Sequence, residues 1–248
     1  MFILNKEAFL NQKKSKTIVV YGSGYSINKL NSKDKKILSS FDSISFNWFC
    51  KSNIPTTYYI VREQCSTKKR IGKGETLDIF YKSLNARHKK SCSIVHRFTY
   101  DKKYKLYDHS KNLKRIKGSG IVVDDIYKLS NVIKQNPKAI IRKFTEDIFE
   151  HGVQHGLCTL YSVMHIVTFC GYKKIVFAGI DLNDSRYFWL KKDEPRYTLV
   201  KDNKGVTDKH KVRYTTMKLL SLYQKVFPKQ KLCVYNKASA LTKIMGQF

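Results

Sequence analysis

The segment that most constrains this chain is Thr17-Ile18-Val19-Val20-Tyr21-Gly22, a short β-rich apolar run after a lysine-rich leader, Lys13 to Lys16. It enters Gly22-Ser23-Gly24-Tyr25-Ser26, and Ile27, Leu30 and Leu38 then follow a helical pattern. Strand, glycine turn and helix in that order are the opening unit of an α/β sheet. The remaining patterns repeat the alternation. Strands are predicted at Ser43 to Phe46, Thr57 to Val61, Lys174 to Ala178 and Leu232 to Tyr235. Helices are predicted at Leu77 to Leu84, Asp124 to Lys134, Cys158 to Phe169, Thr215 to Val226 and Ala238 to Met245, with Gly171 as a C-cap. The fold class expected is α/β: a Rossmann-like, mainly parallel sheet with helices on both faces. No internal repeat or linker divides the chain, so residues 1–248 form one predicted domain. Lys143 to Gln154 fits no single period, and the Lys-, Tyr- and His-rich stretch 86–120 reads as a small lid or insertion.

Composition narrows the class. Hydrophobic residues at 42% and aromatics at 13% exclude an intrinsically disordered chain. There are 48 Lys and Arg against 19 Asp and Glu, a formal net charge of +29. Such a chain attracts anions: nucleic acid, an anionic membrane face, or a phosphorylated or acidic substrate. A Lys-, Asn- and Ile-rich coding bias is a competing source of part of that excess. The six cysteines lie far apart without a CxxC pair, which argues against a zinc ribbon or thioredoxin motif and for reduced thiols. Gly152 to Tyr172 is uncharged, but Gln154, His155, Ser162 and His165 make it a buried helix rather than a lipid-exposed span. Met1 to Leu10 is too short and polar for a signal peptide. The expected location is cytoplasmic, with any membrane contact peripheral on the inner face.

In an open α/β sheet, ligands bind beyond the carboxyl ends of the strands. Gly22-Ser23-Gly24 falls there, and its glycines allow backbone N–H groups to approach a phosphate. The same GxG serves elsewhere as an ordinary tight turn. The dinucleotide fingerprint is absent, because Ile27 occupies its third glycine position. The second feature is Gly179-Ile180-Asp181-Leu182-Asn183-Asp184-Ser185-Arg186-Tyr187. Asp181 follows a buried strand, where it can bond a sugar, orient a base, attack as a nucleophile, or simply cap a turn. Arg186 and Tyr187 suit a leaving phosphate. His210 titrates in the range needed for proton transfer near neutrality. His155 precedes the buried helix close to Thr159 and either binds an anion or is a satisfied polar group. His165, on the apolar face, reads as structural. No Walker loop, HExxH or DxD motif is present, so no metal or other cofactor is expected.

Together these residues resemble the small bacterial sialyltransferases that use CMP-sialic acid. The family's first strand ends in G-N-G-P-S, here Gly22 to Ser26; its second leads to an Asn, here Asn47. Its buried helix ends in G-Y-K before a strand and G-I-D, here Gly171-Tyr172-Lys173 to Gly179-Ile180-Asp181. A His before a helix corresponds to His210. The resemblance implies that Ser23, Asn47, Thr159 and Asp181 line a CMP-sugar site, that Tyr187 donates to the departing phosphate, and that His210 is the general base. It implies a metal-independent reaction, since CMP leaves as a phosphate monoester. Three positions depart from the pattern: Ser23 stands for the family's Asn, the family's Arg falls near Gly156 beside His155, and one tyrosine falls at Asn183. The chain is also similar to the retaining β-Kdo transferases, in which Asp181 would attack the anomeric carbon. The implied partners are a CMP-activated sugar acid and a surface glycan acceptor of lipopolysaccharide or capsule, lipid-linked in one version. Two other classes compete: a basic nucleic-acid-binding protein, and a Rossmann-like kinase or pyrophosphokinase.

Overall fold

The computed structural model describes residues 1–62, 76–98, 109–126, 136–154, 158–182, 186–190, 192 and 216–248. Among them is one ten-stranded sheet in which every pairing is parallel. Its strands are β1 (Phe2–Ile3), β2 (Thr17–Tyr21), β3 (Asp42–Phe46), β4 (Tyr58–Val61), β5 (Cys92–Phe98), β6 (Ser119–Ile126), β7 (Val153–Gln154), β8 (Lys174–Ala178), β9 (Lys231–Val234) and β10 (Gly246–Gln247). The spatial order is β1-β6-β5-β4-β3-β2-β8-β9-β10, with β7 beside β6. The chain therefore builds outward from β2 through β3 to β6, then returns to place β8 on the other side of β2. Strand order reverses between β2 and β8, and a crevice opens at the carboxyl ends of strands at such a point.

A parallel sheet of this kind is buried on both faces. One face carries Ile18, Val20, Ile44, Ile60 and Phe177 against the helices α1 (Lys6–Leu10), α4 (Pro137–Arg142), α5 (Ile148–His151), α6 (Thr159–Phe169) and α7 (Thr216–Val226). The other carries Val19, Tyr21, Tyr59, Val61 and Val176 against α2 (Ser32–Ser39), α3 (Leu77–Arg87) and two 3₁₀ turns, Tyr25–Lys29 and Asn47–Lys51. The central helix α6 is buried from Leu160 to Thr168, which explains its nearly unbroken apolar sequence. It ends as expected: Gly171 takes φ 69°, and Tyr172 N donates to Val167 O. No helix among the described residues is long and apolar enough to cross a membrane.

Four expectations change. The stretch 86–120 is not a lid over its described part: Cys92–Phe98 is β5, a central strand paired with β4 and β6. Its pattern misled because Ser93 and His96 are polar yet buried; a strand covered on both faces needs no alternation, and His96 finds Asp125 of β6 as a partner. Asp124 to Ile126 end β6 rather than begin a helix, and the rest of that predicted helix lies outside the described residues. Arg97 bonds both Asp124 carboxylate oxygens at 2.6 and 2.9 Å, which lets an acidic residue end a strand. The final helix shrinks to a 3₁₀ turn, Ala240–Lys243, before β10. The helix after the glycine turn is likewise split, into Tyr25–Lys29 and α2, where Asn31 and Asp34 form a capping box.

His165 is structural, as read from its apolar face. Gln154 N donates to its Nδ1 at 2.9 Å, so the ring proton sits on Nε2 and points to Glu146 O at 3.1 Å. Burial pushes His165 and His88 down to about 4 and lowers His96 as well. All three are therefore neutral in the fold at pH 7. Unfolded, they regain an ordinary value near ~6.5 and bind protons first. Stability therefore falls as pH drops below about 6.5; for His88 and His165 the loss continues towards pH 4 at ~1.4 kcal/mol per pH unit each. Urea unfolding at pH 7.5 and pH 5 should show a clearly lower midpoint at pH 5; equal midpoints would contradict three buried neutral imidazoles.

Candidate functional site

The crevice between β2 and β8 is formed by two loops in backbone contact. Gly22 N donates to Ala178 O at 2.8 Å, and Gly24 N donates to Gly179 O at 2.7 Å. A Cβ on Gly22 would lie 2.4 Å from Gly179 O, and one on Gly24 would lie 2.6 Å from Asp181 Oδ2. Gly179 adopts φ 71°, and its own Cβ would strike Ile27 at 2.6 Å. The glycines are thus required by protein packing. The Gly22 and Gly24 N–H groups donate to β8 and its loop.

Asp181 closes the same contact. Its Oδ2 accepts from Ser26 N and its Oδ1 from Ser26 Oγ, both at 2.6 Å. The carboxylate thus holds the first turn of the 3₁₀ segment Tyr25–Lys29, where negative charge meets unsatisfied N–H groups. Each carboxylate oxygen thus accepts one hydrogen bond from Ser26.

What the crevice offers a ligand is set between these loops. Ser23 is buried, and its Oγ has no hydrogen-bond partner among the described residues. Ser23 O accepts from Phe188 N at 3.2 Å, and Gly24 pairs with Tyr187 in an antiparallel bridge. The 186–190 segment therefore folds back over the glycine turn. Tyr187 is 38% exposed and stacks on Trp189 at 4.6 Å. The Arg186 guanidinium lies over the Tyr25 ring at 4.1 Å. Two sequence-predicted residues, Arg186 and Tyr187, are thus brought to the glycine turn.

Two more meet on the other side of β2. In the sheet register Tyr21 pairs with Ser45, so Asn47 stands level with Ser23 along the carboxyl edge. Asn47 has φ 54°, a left-handed backbone that Asn tolerates better than most residues, and its carbonyl accepts from Tyr59 OH. Thr159 Oγ1, at the first residue of α6, donates to Asn47 Oδ1 at 3.5 Å. The N-terminal turn of α6 has no side-chain cap from Cys158, so its dipole faces this edge. His155, Asn183 and His210 lie outside the described residues.

One cluster escaped the sequence. Along the same edge Arg62, directly after β4, donates through Nε to Asp125 Oδ2 at 2.8 Å, and His96 Nδ1 lies 3.2 Å from that oxygen. Arg62 is only 7% exposed and close enough for its charge to act on the Cys158 thiol at the start of α6. The available signal was the trio itself, one polar residue at or near the end of each of three apolar runs, but assigning 86–120 to a lid hid it.

No protein-family model and no curated protein matches this sequence. Three chains of solved structures do. One is the monofunctional α-2,3-sialyltransferase Cst-I from Campylobacter jejuni, with a TM-score of 0.54 and 15% identity over 100% of this chain and 82% of that one. At that identity the likeness establishes the fold. The chain is an α/β protein of the Rossmann-like kind found in that sialyltransferase, with its crevice at the β2–β8 reversal.

Two substitutions separate support of the crevice from its use. Asp181→Ala removes two charge-assisted hydrogen bonds and should lower unfolding free energy by about 2 kcal/mol. Ser23→Ala removes a hydroxyl without a protein partner among the described residues and should leave the melting temperature within about 1 °C. If CMP occupies the crevice, Ser23→Ala should also weaken the thermal shift that CMP produces.

Proposed function

We propose that this chain is a glycosyltransferase that moves a 2-keto sugar acid from its CMP-activated donor to a glycan acceptor. The observation that carries the reading is the full-chain fold likeness to a sialyltransferase, with Ser23, Arg186 and Tyr187 at the β2–β8 strand-order reversal and Asn47 with Thr159 beyond the neighbouring β3. In this reading Ser23 and Asn47 contact the nucleotide, and Thr159 with the start of α6 faces the sugar carboxylate. The buried Arg62 keeps positive charge behind that turn. Arg186 and Tyr187 stabilise the phosphate as it departs, so charge is met by hydrogen bonds and a guanidinium.

The two hydrogen bonds that Ser26 donates to Asp181 favour one mechanistic variant. With both carboxylate oxygens engaged, Asp181 acts as a positioning residue, and transfer proceeds by a single displacement with His210 as the base that deprotonates the acceptor hydroxyl. The retaining variant used by β-Kdo transferases would need Asp181 to leave Ser26 first. The net charge of +29 supports an anionic surface glycan of the lipopolysaccharide or capsule kind, and peripheral contact with an anionic inner membrane face.

The decisive assay measures CMP release without added metal from CMP-sialic acid and from CMP-Kdo generated in situ, each with and without a mixed glycan pool. Release from one donor, stimulated by acceptor, is the expected result. His210→Ala should then lower turnover at least about 100-fold. No release from either donor, with no thermal stabilisation by CMP, would remove the transferase reading; steep salt-dependent binding of random RNA would then put nucleic-acid binding in its place.

A further inference from the structure

A cleft of about 620 Å³ opens beside the glycine turns, on the sheet face that carries α2. Its chemistry differs from that of the crevice. Lys35 and Lys36 of α2 and Lys51 after β3 all line it, and no acidic side chain does so among the described residues. Neither Lys35 nor Lys36 belongs to an ion pair among the described residues. Three ammonium groups around one concavity repel each other until an anion enters.

The cleft is also built, rather than being a patch of loose charge. Lys51 Nζ lies 5.0 Å from the Trp48 ring and 5.3 Å from the Trp189 ring, which restricts where its charge can go. Asn28 Nδ2 donates to Phe188 O at 2.8 Å, tying the wall to the segment that covers the glycine turn. Asn53 Oδ1 accepts from Arg87 Nε at 2.9 Å, so its NH₂ is what it can present to a ligand. Ile54 and Phe188 add apolar wall. Apolar wall, amide donors, the ring-held Lys51 and the two exposed α2 lysines together match a sugar ring with an anionic substituent. The volume suits one small ligand rather than a strand tracked over many nucleotides.

We propose that this cleft binds the acceptor through an anionic group, a phosphate or carboxylate carried on a saccharide. Its role as the acceptor site rests on the transferase reading; the binding itself does not. Phe188 lines the cleft while its N–H donates to Ser23 O, so an acceptor held here lies one residue from the donor crevice.

Calorimetric titration of the full chain with trehalose 6-phosphate, with trehalose and with a 12-nucleotide single-stranded RNA tests this. The phosphorylated disaccharide should bind and trehalose should not. Lys35→Ala/Lys36→Ala should weaken that binding about tenfold. Lys225→Ala/Lys229→Ala removes the same charge from exposed positions outside the cleft and should change it less than twofold. Lys51→Gln should weaken binding as the α2 pair does, with the melting temperature recorded to confirm folding. Absence of binding by the unmutated chain, equal losses in both double variants, or RNA displacing the disaccharide through the same lysines would each overturn the proposal. A CMP-induced thermal shift is measured alongside. If that shift is absent while the lysine dependence holds, the donor assignment has failed and the anion cleft stands.

Discussion

The rest of the structure depends on the contact between the two glycine turns. β2 is the strand from which the sheet grows in both directions, and β8 must return beside it. Their following loops approach so closely that Gly22, Gly24 and Gly179 admit no Cβ. Two backbone hydrogen bonds and the Asp181 carboxylate on Ser26 then lock the loops together. A side chain at any of the three positions would separate the turns and open the reversal point where the candidate site lies. The contact also fixes the 186–190 segment, since Phe188 and Tyr187 bond to the residues between those glycines.

From this anchor the electrostatics of the carboxyl edge follow. Parallel strands deliver their ends, and the N-termini of the following helices, to one side of the sheet. Here that side collects the Thr159 turn of α6, Arg62 and Arg186, with Lys51 just beyond. Asp125 and Asp181 are present as well, but each is engaged: one with Arg62 and His96, the other with Ser26. The edge is therefore suited to anions, while its acidic groups serve as struts. This gives part of the basic composition a location, at the crevice on the carboxyl edge and in the neighbouring cleft lined by Lys35, Lys36 and Lys51.

Most of the sheet was legible because its strands are short β-rich runs bounded by glycine or polar turns. β2, β3, β4, β8 and β9 fall at or within a residue or two of their expected places, as do α6 and the described part of α7. The exceptions are the two-residue strands β1, β7 and β10 and the adjacent β5 and β6; in β5, Ser93, His96 and Arg97 break the apolar run. His96 and Arg97 are met by Asp125 and Asp124 of β6, and partners remote in the chain leave no local trace. The same reason hides the Arg62–Asp125–His96 trio and lets Asp124 and Asp125 imitate a helix start. Within the candidate site, the types and order of Ser23, Asn47, Thr159, Asp181, Arg186 and Tyr187 could be read directly. What each does with its bonds could not: Asp181 reads as a reactive carboxylate in sequence and holds a turn in the fold.

By itself, the sequence determined the alternation of strand and helix, the buried character of α6, the glycine turns and the surplus of positive charge. All of these arise from local periodicity and composition, which neighbouring residues impose on each other. Only the tertiary structure decided that the glycines serve loop packing, that Arg62 and His96 meet Asp125, and that Lys35, Lys36 and Lys51 share one cleft with Phe188. Each of these depends on groups brought within a few ångströms across tens of residues or more, and hydrogen bonding, burial and charge repulsion act on that distance alone.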